Sequence, residues 1–417
     1  METKGYYVVA RKEFAVKNDS GRWLFVREPQ IKRRLKGQGV RLKPEKGEFL
    51  AEVDQILETI MNHYDVTYAG PLAGYQEGFY EEGGERFLVT ISPRLIKPED
   101  KPWPMIQALL DGLLDDQQIW FQAWLKVAVE ALMANARRPG QVLVMAGPKD
   151  CGKSLLQNII TECLGGRSAK PYAFMRGGTE FNADLFTAEH LMLEDEVPST
   201  DMRSRRNFGA MIKSFTVNES QRCHPKGSQA WMAKPFWRLS VSLNDEPENL
   251  QVLPPLDDSL EDKLIILRAY KTEMPMPTES IEQREAFWNA MLSELPGFVH
   301  HLLNWTIPED MVSQRFGVKE FHNEYVLEAI NQLSPEAKML ALIDASDIQL
   351  PYVGSAANLE HLLKRDEHAD SEANKLFHYH TACGQYLGRC AHKFPDRVQC
   401  RTLGGHVREW TITKGDG

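Results

Sequence analysis

Residues 141–163 read QVLVMAGPKDCGKSLLQNIITEC, and residues 147–154 match the pattern G-x-x-x-x-G-K-[ST] at every fixed position. An apolar run typical of a buried strand precedes the glycines, and a run with helical character follows them. Glycines at these positions let main-chain N–H groups turn towards phosphates, and the helix N-terminus adds partial positive charge. The stretch therefore predicts an α/β fold with a phosphate-binding loop formed by Gly147, Pro148, Lys149, Asp150, Cys151, Gly152, Lys153, Ser154 and Leu155.

Two side chains of this loop have predicted roles of their own. Lys153 is expected to reach the β- and γ-phosphates of a nucleotide, and the Ser154 hydroxyl is expected to bind Mg²⁺. ATP, or another nucleoside triphosphate, together with Mg²⁺ is therefore the expected ligand.

A second polar feature follows the apolar run His190 to Leu193, which ends in Glu194, Asp195 and Glu196. Parallel α/β sheets bind ligands at the carboxyl ends of their strands. We assign Asp195 to the metal ion and Glu196 to activation of the attacking water. A shift of one residue in the strand would give these roles to Glu194 and Asp195 instead.

A third feature is the strand pattern of residues 236–243, which is followed by Asn244. An Asn-Asp pair after a strand is by itself typical of a turn. Its position 49 residues after Asp195 (244 − 195) favours a second interpretation, in which the amide orients water beside the γ-phosphate.

Composition and patterning divide the 417 residues into four expected regions. These are an N-terminal α+β region (1–104), a helical lead-in with the ATPase core (105–275), a helical region (276–350) and a C-terminal domain (351–417). The last region has the order helix, helix and β-hairpin on Gly404-Gly405, which is typical of a winged helix, with Arg397, Arg401, Arg408 and Lys414 available for phosphates. It could instead only cap the fold or support oligomerisation.

Charge and cysteine content narrow the class of protein. A net charge of −9 argues against a surface coated with basic groups but permits a basic channel inside a ring. No apolar run approaches the ~20 residues needed to span a bilayer, and no signal peptide is evident, so a cytoplasmic location is expected. Zinc binding is disfavoured because Cys383, Cys390 and Cys400 do not form close ligand pairs.

Together the motifs GPKDCGKS, LMLEDE and SLN resemble Walker A, Walker B and motif C of superfamily 3 helicases. Within that superfamily of AAA+ type, the chain is similar to the ATPase part of primase-helicases from phages, viruses and mobile elements. The resemblance covers residues 105–270 well, and residues 69–98 and the C-terminal end are also similar. It implies DNA replication as the process and a ring, usually a hexamer, that hydrolyses NTP between subunits.

The resemblance also implies roles for residues outside the three motifs. Lys213 would reach the nucleotide of a neighbouring subunit, and Lys226, with His224 beside it, would contact single-stranded DNA from a hairpin tip. An ordinary surface lysine is the alternative interpretation of Lys226. Superfamily 3 usually has an arginine finger where this chain has Lys263, so the finger could be Lys263, Arg268, or one of Arg203, Arg205 and Arg206.

The resulting expectation is a homo-oligomeric translocase on single-stranded or forked DNA, with a primase or other replication proteins as possible partners. No primase domain is evident before residue 100. Two other functions fit the same motifs. One is a DNA-stimulated ATPase that remodels, loads or senses without unwinding, and the other is an RNA helicase.

Substitutions in the two phosphate motifs should have different effects. Lys153→Ala should abolish NTP binding because the variant lacks the cation opposite the β- and γ-phosphates. Glu196→Gln should bind NTP normally and fail to hydrolyse it, since an amide does not accept the proton of water. Equilibrium binding and phosphate-release assays measure the two effects. Retained hydrolysis in Glu196→Gln, with loss in Glu194→Gln or Asp195→Asn, would move the assignment back by one residue.

Overall fold

The computed structural model describes residues 5–194, 202–250, 252–254, 256, 259–332, 334–403 and 408–414, and only the main chain of residues 202–206, 247, 248, 331 and 332. The chain divides into two compact units, residues 1–326 and residues 327–417.

The first unit begins with two small sheets and two helices. Their bounds are Tyr6–Val8 (β1), Glu13–Lys17 (β2), Trp23–Val26 (β3), Glu28–Gly37 (α1), Glu52–His63 (α2), Asp65–Val66 (β4), Tyr68–Gly70 (β5), Gly78–Glu82 (β6) and Glu85–Val89 (β7). One sheet has the strand order β3-β2-β1-β4, and the other has the order β5-β7-β6. Side chains alternate across β2, so Phe14 and Val16 pack on α1 and α2, while Ala15 joins the cluster of Val8 and Leu88.

The centre of the first unit is a six-stranded, fully parallel sheet. Its strands are Val142–Ala146 (β8), Ser168–Ala169 (β9), His190–Glu194 (β10), Arg238–Leu243 (β13), Leu264–Arg268 (β14) and Phe321–His322 (β15). The order is β15-β14-β8-β13-β10-β9. Every residue of β8 and β13 is buried, as expected for strands covered on both faces. Because the pairing is parallel, the carboxyl ends of β8, β13 and β10 lie side by side at one edge.

The helices and the remaining hairpin of this unit connect these strands. They are Pro104–Leu114 (α3), Gln118–Met133 (α4), Lys153–Cys163 (α5), Tyr172–Met175 (α6), Met202–Val217 (α7), Gln221–Cys223 (β11), Trp231–Ala233 (β12), Pro247–Leu250 (α8) and Ile281–Asn304 (α9). The boundary between the two units falls within the next helix, Glu324–Gln332 (α10). Helices α3, α4, α5 and α9 share one apolar cluster with β8 and β14. The two helices expected between residues 105 and 138 are therefore confirmed, and they bury one face of the sheet.

A buried ion pair fastens the segment after β5 to the start of β10. The carboxylate of Glu189 is fully buried and accepts hydrogen bonds from Arg167 Nε at 2.9 Å and from the main-chain N–H of Gly74 at 2.8 Å. The Arg167 guanidinium also donates to the carbonyl of Leu72 at 3.4 Å. Gly74 has φ +81°, and a Cβ there would lie 2.3 Å from Phe236 Cβ, so only glycine fits this close approach.

The second unit contains helices and a small antiparallel sheet. Its elements are Pro335–Ala345 (α11), Tyr352–Gly354 (β16), Ala356–Leu363 (α12), Asp370–Leu376 (α13), Ala382–Lys393 (α14), Val398–Thr402 (β17) and Arg408–Ile412 (β18). The sheet order is β16-β18-β17. β17 and β18 form the expected hairpin, whereas the expected turn at Gly404-Gly405 lies outside the described residues.

The second unit differs from expectation in two respects. It begins at Leu327 rather than at residue 351, because Met339, Leu340 and Ile343 of α11 belong to its apolar cluster. The single helix expected over 372–392 is two helices, α13 and α14. Lys364 Nζ donates to the carbonyl of Phe377 at 2.9 Å, and this carbonyl lies at the break between the two helices.

The cysteines of this unit are thiols in different settings. Burial raises the pKa of Cys383 and of Cys390 to about 12, while Cys400 is exposed. The part of the chain that the structure describes contains no group of three or more His, Cys, Asp or Glu side chains placed to hold a metal ion. Among the described residues, no helix is both long and apolar enough to cross a membrane.

The Glu189–Arg167 pair provides a test of how the N-terminal segment is held. Glu189→Gln should lower the free energy of unfolding of the first unit by about 3 kcal/mol, because it leaves the guanidinium without its buried counter-charge. Glu219→Gln breaks the exposed pair with Lys234 and should change stability by less than about 1 kcal/mol. Urea unfolding of the full chain compares the two variants. Equal stability would show that the ion pair does not hold the segment.

Candidate active site

The loop from Gly147 to Gly152 joins β8 to α5 at the centre of the sheet. The main-chain N–H of Gly147 donates to the carbonyl of Leu243 at 3.1 Å, which ties the loop to the end of β13. A Cβ on Gly147 would lie 2.1 Å from the carbonyl oxygen of Ala269, and Gly152 has φ +111°. Both glycines are therefore required by the path of the main chain, as the sequence pattern predicts.

Lys153 stands at the first turn of α5 with its ammonium group inside the loop. Its Nζ donates to the carbonyl of Gly147 at 2.8 Å, to the carbonyl of Pro148 at 2.6 Å and to Asn244 Oδ1 at 3.3 Å. The side chain is only 5% exposed. The structure thus brings Lys153 and Asn244 together across 91 residues, and the partners of the ammonium within the described residues are neutral acceptors.

The acidic strand end lies next to this group. Glu194 is the last residue of β10 and is paired in register with Ser242 of β13, two residues before Asn244. Its carboxylate lies 3.2 Å from Lys170 Nζ. Asp195 and Glu196, the predicted metal ligand and base, lie outside the described residues. Their assignment, and the alternative shifted by one residue, stay predictions.

A buried polar network connects α5 with the two strands that carry the polar ends. His190 Nδ1 lies 2.7 Å from Thr161 Oγ1, and His190 Nε2 lies 2.8 Å from Ser240 Oγ. Gln157 Nε2 donates to Ser240 Oγ at 2.7 Å and to the carbonyl of Leu193 at 3.2 Å. These bonds fix α5 against β10 and β13 and hence fix Lys153 relative to Glu194 and Asn244. Burial lowers the pKa of His190 to about 3, so the ring is neutral.

A cavity of about 390 Å³ opens above the start of α5. Loop residues 150–155, Ser242 and Asn244 form one side of it. The other side comes from the chain after β14, which the sequence did not indicate as part of the site; its members are Met274, Thr278, Arg284, Phe287 and Trp288. The signal that could have found them is the aromatic pair 287–288 in a helix that starts 13 residues after β14 ends (281 − 268).

The structure also contains the expected hairpin, β11 paired with β12 in antiparallel register. Lys226 is exposed in the connecting turn, next to Gly227 at φ +75°. Asn182 holds the start of the loop that connects the two strands, because its Oδ1 accepts from the main-chain N–H of His224 at 2.7 Å. The His224 ring packs on Phe181 with the ring centroids 5.1 Å apart. Lys226 therefore projects from an anchored tip, whereas His224 lies at the start of the loop.

The residues predicted to reach the nucleotide of a neighbouring subunit, or to act as the arginine finger, lie in different places. Lys263 is 7% exposed, at the amino end of β14, and its Nζ lies 2.5 Å from Asp262 Oδ1. The loop after β8 is at the opposite end of the sheet, so Lys263 is remote from that loop. Arg268 is at the carboxyl end of β14, with its guanidinium 3.8 Å from the ring centroid of Tyr325. Lys213 is half-buried on α7, and the side chains of Arg203, Arg205 and Arg206 lie outside the described residues.

In the second unit, the arginines predicted to contact phosphates differ in exposure and in ion pairing. Arg397 is ion-paired with Asp344 and donates to the carbonyl of Thr413, so its guanidinium is occupied. Arg401 is exposed, 3.7 Å from Glu409. Arg408 lines a groove of about 990 Å³ between α12 and α14, together with Arg365 and Arg389. Within the groove, Arg389 pairs with Glu336 at 2.9 Å, so Arg365 and Arg408 of the groove and the exposed Arg401 are the better candidates for phosphate contacts.

Comparisons with known proteins agree with this architecture. A profile described as a family of unknown function, DUF5906, matches residues 145–259, which include the phosphate loop and Asn244. No curated protein matches the sequence. The apo structure of the NrS-1 C-terminal region is similar, with 12% identity and a TM-score of 0.56, over 98% of this chain and 96% of that chain. The chain therefore shares the fold of that region along nearly its full length.

A structure of JCV helicase with a bound inhibitor also matches. It has 13% identity and a TM-score of 0.25, over 58% of this chain and 71% of that chain. Similarity at this level carries no structural argument, and no residue role rests on it.

The neutral, buried His190 predicts a dependence of stability on pH. Its pKa is about 3 in the folded chain, against an ordinary value of 6.5, so the unfolded chain binds the extra proton between these values. Stability is complete above pH 6.5 and should fall by about 2 kcal/mol by pH 5 from this group alone. His190→Gln should be less stable at pH 7.5 but lose about 2 kcal/mol less on acidification. Denaturant unfolding at both pH values measures this, and equal acid losses would contradict it.

Proposed function

We propose that the chain is an NTP-driven translocase on nucleic acid, of the superfamily 3 helicase type, acting in DNA replication. The single observation that carries the proposal is the buried ammonium of Lys153, held by the carbonyls of Gly147 and Pro148 and by Asn244 beneath an open cavity. Among the described residues the partners of this ammonium are neutral groups, and a cation held in this way inside a glycine loop is suited to exchange those carbonyls for phosphate oxygens.

The chemistry proposed for the site is hydrolysis by in-line attack of water. Lys153 neutralises charge on the β- and γ-phosphates, and Asn244, which already touches its ammonium, orients the attacking water. Ser154 is exposed at the start of α5 and, with Asp195, is suited to hold Mg²⁺. Mg²⁺ supplies charge stabilisation at the phosphates. Glu196 accepts the proton of water.

Movement along nucleic acid is proposed to depend on the hairpin of β11 and β12. The tip carries Lys226, and the bond from His224 N–H to Asn182 anchors the start of the connecting loop, so a shift of the core would carry the tip with it. In a homo-oligomeric ring, a hexamer as the family resemblance implies, the tips would follow one strand by its phosphates. Lys213 on α7 is proposed to reach the neighbouring nucleotide.

The second unit is proposed to be a winged-helix-like domain that adds phosphate contacts. Its order is helix α11, strand β16, helices α12 to α14 and the hairpin of β17 and β18, with β16 pairing on β18. The contacts are assigned to Arg365 and Arg408 of the groove between α12 and α14, whereas Arg389 of the same groove pairs with Glu336 at 2.9 Å. Arg397 is left out of this set because Asp344 already pairs with it.

The fold similarity to the NrS-1 C-terminal region is consistent with this proposal but carries no function of its own at 12% identity. A loader or sensor that hydrolyses NTP without unwinding would share the same site, and so would an RNA helicase. Assays with forked DNA and forked RNA, each scored for hydrolysis and for strand displacement, separate the three.

Lys226→Ala should uncouple hydrolysis from movement. Basal NTP hydrolysis should stay near the wild-type rate, because the tip takes no part in the phosphate loop. DNA stimulation should weaken and displacement of a forked strand should be lost, with the largest effect near physiological salt, because phosphate contacts are screened.

The matched control is Lys234→Ala, an exposed lysine after β12 that pairs with Glu219 at 3.2 Å. It should unwind like wild type. Unwinding by Lys226→Ala at the wild-type rate would show an ordinary surface lysine, and collapse of basal hydrolysis would place Lys226 in the nucleotide site or the fold.

A further inference from the structure

The cavity above α5 has two chemically different sides. The side formed by the phosphate loop carries the ammonium of Lys153, the hydroxyl of Ser154 and the amide of Asn244. The apolar side, from the chain after β14, carries Met274, Phe287 and Trp288, with Arg284 as its charged member. A nucleoside triphosphate has the same division, with anionic phosphates at one end and a flat, largely apolar base at the other.

The apolar side lies directly against the phosphate loop. A Cβ on Gly152 would lie 3.0 Å from Met274 Cε, so the methionine covers the last glycine before α5. Phe287 is 3% exposed and belongs to the apolar cluster shared by α3, α4, α5 and α9. Trp288, the next residue, is only partly buried and also faces the cavity. The cavity wall thus contains one buried and one partly accessible aromatic ring.

Hydrogen bonds at the start of α9 make this wall rigid. Arg284 Nη1 donates to the carbonyls of Thr278 at 3.0 Å and Glu279 at 3.2 Å. Ser280 caps the helix by accepting from the main-chain N–H of Gln283 at 3.1 Å, and the Gln283 side chain accepts from Ser280 N–H at 3.0 Å. The segment that carries Met274 and Thr278 is therefore fastened to the helix that carries Trp288.

We propose that Met274, Phe287 and Trp288 form the base-binding subsite of the nucleotide site, with Trp288 making the main contact to the ring of the base. This inference rests on the proposed nucleotide-binding role of the phosphate loop. A purine ring presents more area to an indole than a pyrimidine ring does, so the subsite favours ATP and GTP over CTP and UTP. Arg284 is a positioning residue, because its guanidinium is bonded to the wall itself.

The test compares a nucleotide with a ligand that has the phosphates alone. Calorimetry measures the affinities of a non-hydrolysable ATP analogue and of inorganic tripolyphosphate, each with Mg²⁺, for the full chain. Trp288→Ala should weaken the ATP analogue about tenfold or more while tripolyphosphate affinity is retained, and Trp288→Phe should keep most of the affinity for the ATP analogue. Lys153→Ala should lose both ligands.

Trp120→Ala is the matched control, since Trp120 is also a partly buried indole, stacked on Phe321 at 5.0 Å and outside the cavity lining. It should bind both ligands like wild type. If Trp288→Ala matches this control for the ATP analogue, or loses tripolyphosphate equally, the base subsite is overturned while the phosphate loop stands.

Wild-type binding of neither ligand would instead overturn the proposed function. The nucleotide preference tests the subsite independently of any variant's folding. Wild type should bind purine nucleotides about tenfold more tightly than pyrimidine nucleotides, and equal affinities would contradict the proposed subsite.

Discussion

The parallel pairing of β8 with β13 is the constraint on which the rest of the site depends. Ala146 and Leu243 are partners in register, so the residues that follow them, Gly147 and Asn244, leave the sheet at the same place. The bond from Gly147 N–H to the Leu243 carbonyl extends this pairing by one step into the loop. Lys153 then reaches across from α5 and joins both chain segments through its ammonium. A change in strand register would separate these groups at once.

The sequence was informative wherever a local pattern has a single structural meaning. The path of the loop from Gly147 to Gly152, the two helices before it and the strand that precedes Asn244 follow from glycine spacing and apolar periodicity. The turn at Lys226 followed from a Pro-Lys-Gly sequence between strand-like stretches, with the family resemblance indicating its position. In each case the residues that determine the structure are close together in the chain, so a short window contains the information.

Features that depend on distant contacts were not predicted. The cavity wall formed by Met274 and Trp288 is close to the phosphate loop because α9 packs on α5. The aromatic pair 287–288 is a local signal, but it does not indicate which element α9 packs on. Arg397 was expected to contact phosphates, but its guanidinium is ion-paired with Asp344. The two residues are 53 positions apart, so no short stretch of sequence indicates this pair. The break between α13 and α14 also depends on a contact from another helix, because Lys364, directly after α12, donates to the carbonyl of Phe377.

The position of Glu189 has a mechanical consequence. This residue directly precedes β10, and its carboxylate is fastened to the N-terminal segment through Gly74 and Arg167. At its other end, about 17 Å away for a five-residue strand, β10 delivers Glu194 to the edge of the candidate site. The strand is buried and paired on both sides, so it resists stretching and bending. A displacement of the N-terminal segment would therefore move β10 as one piece, and Glu194 with it.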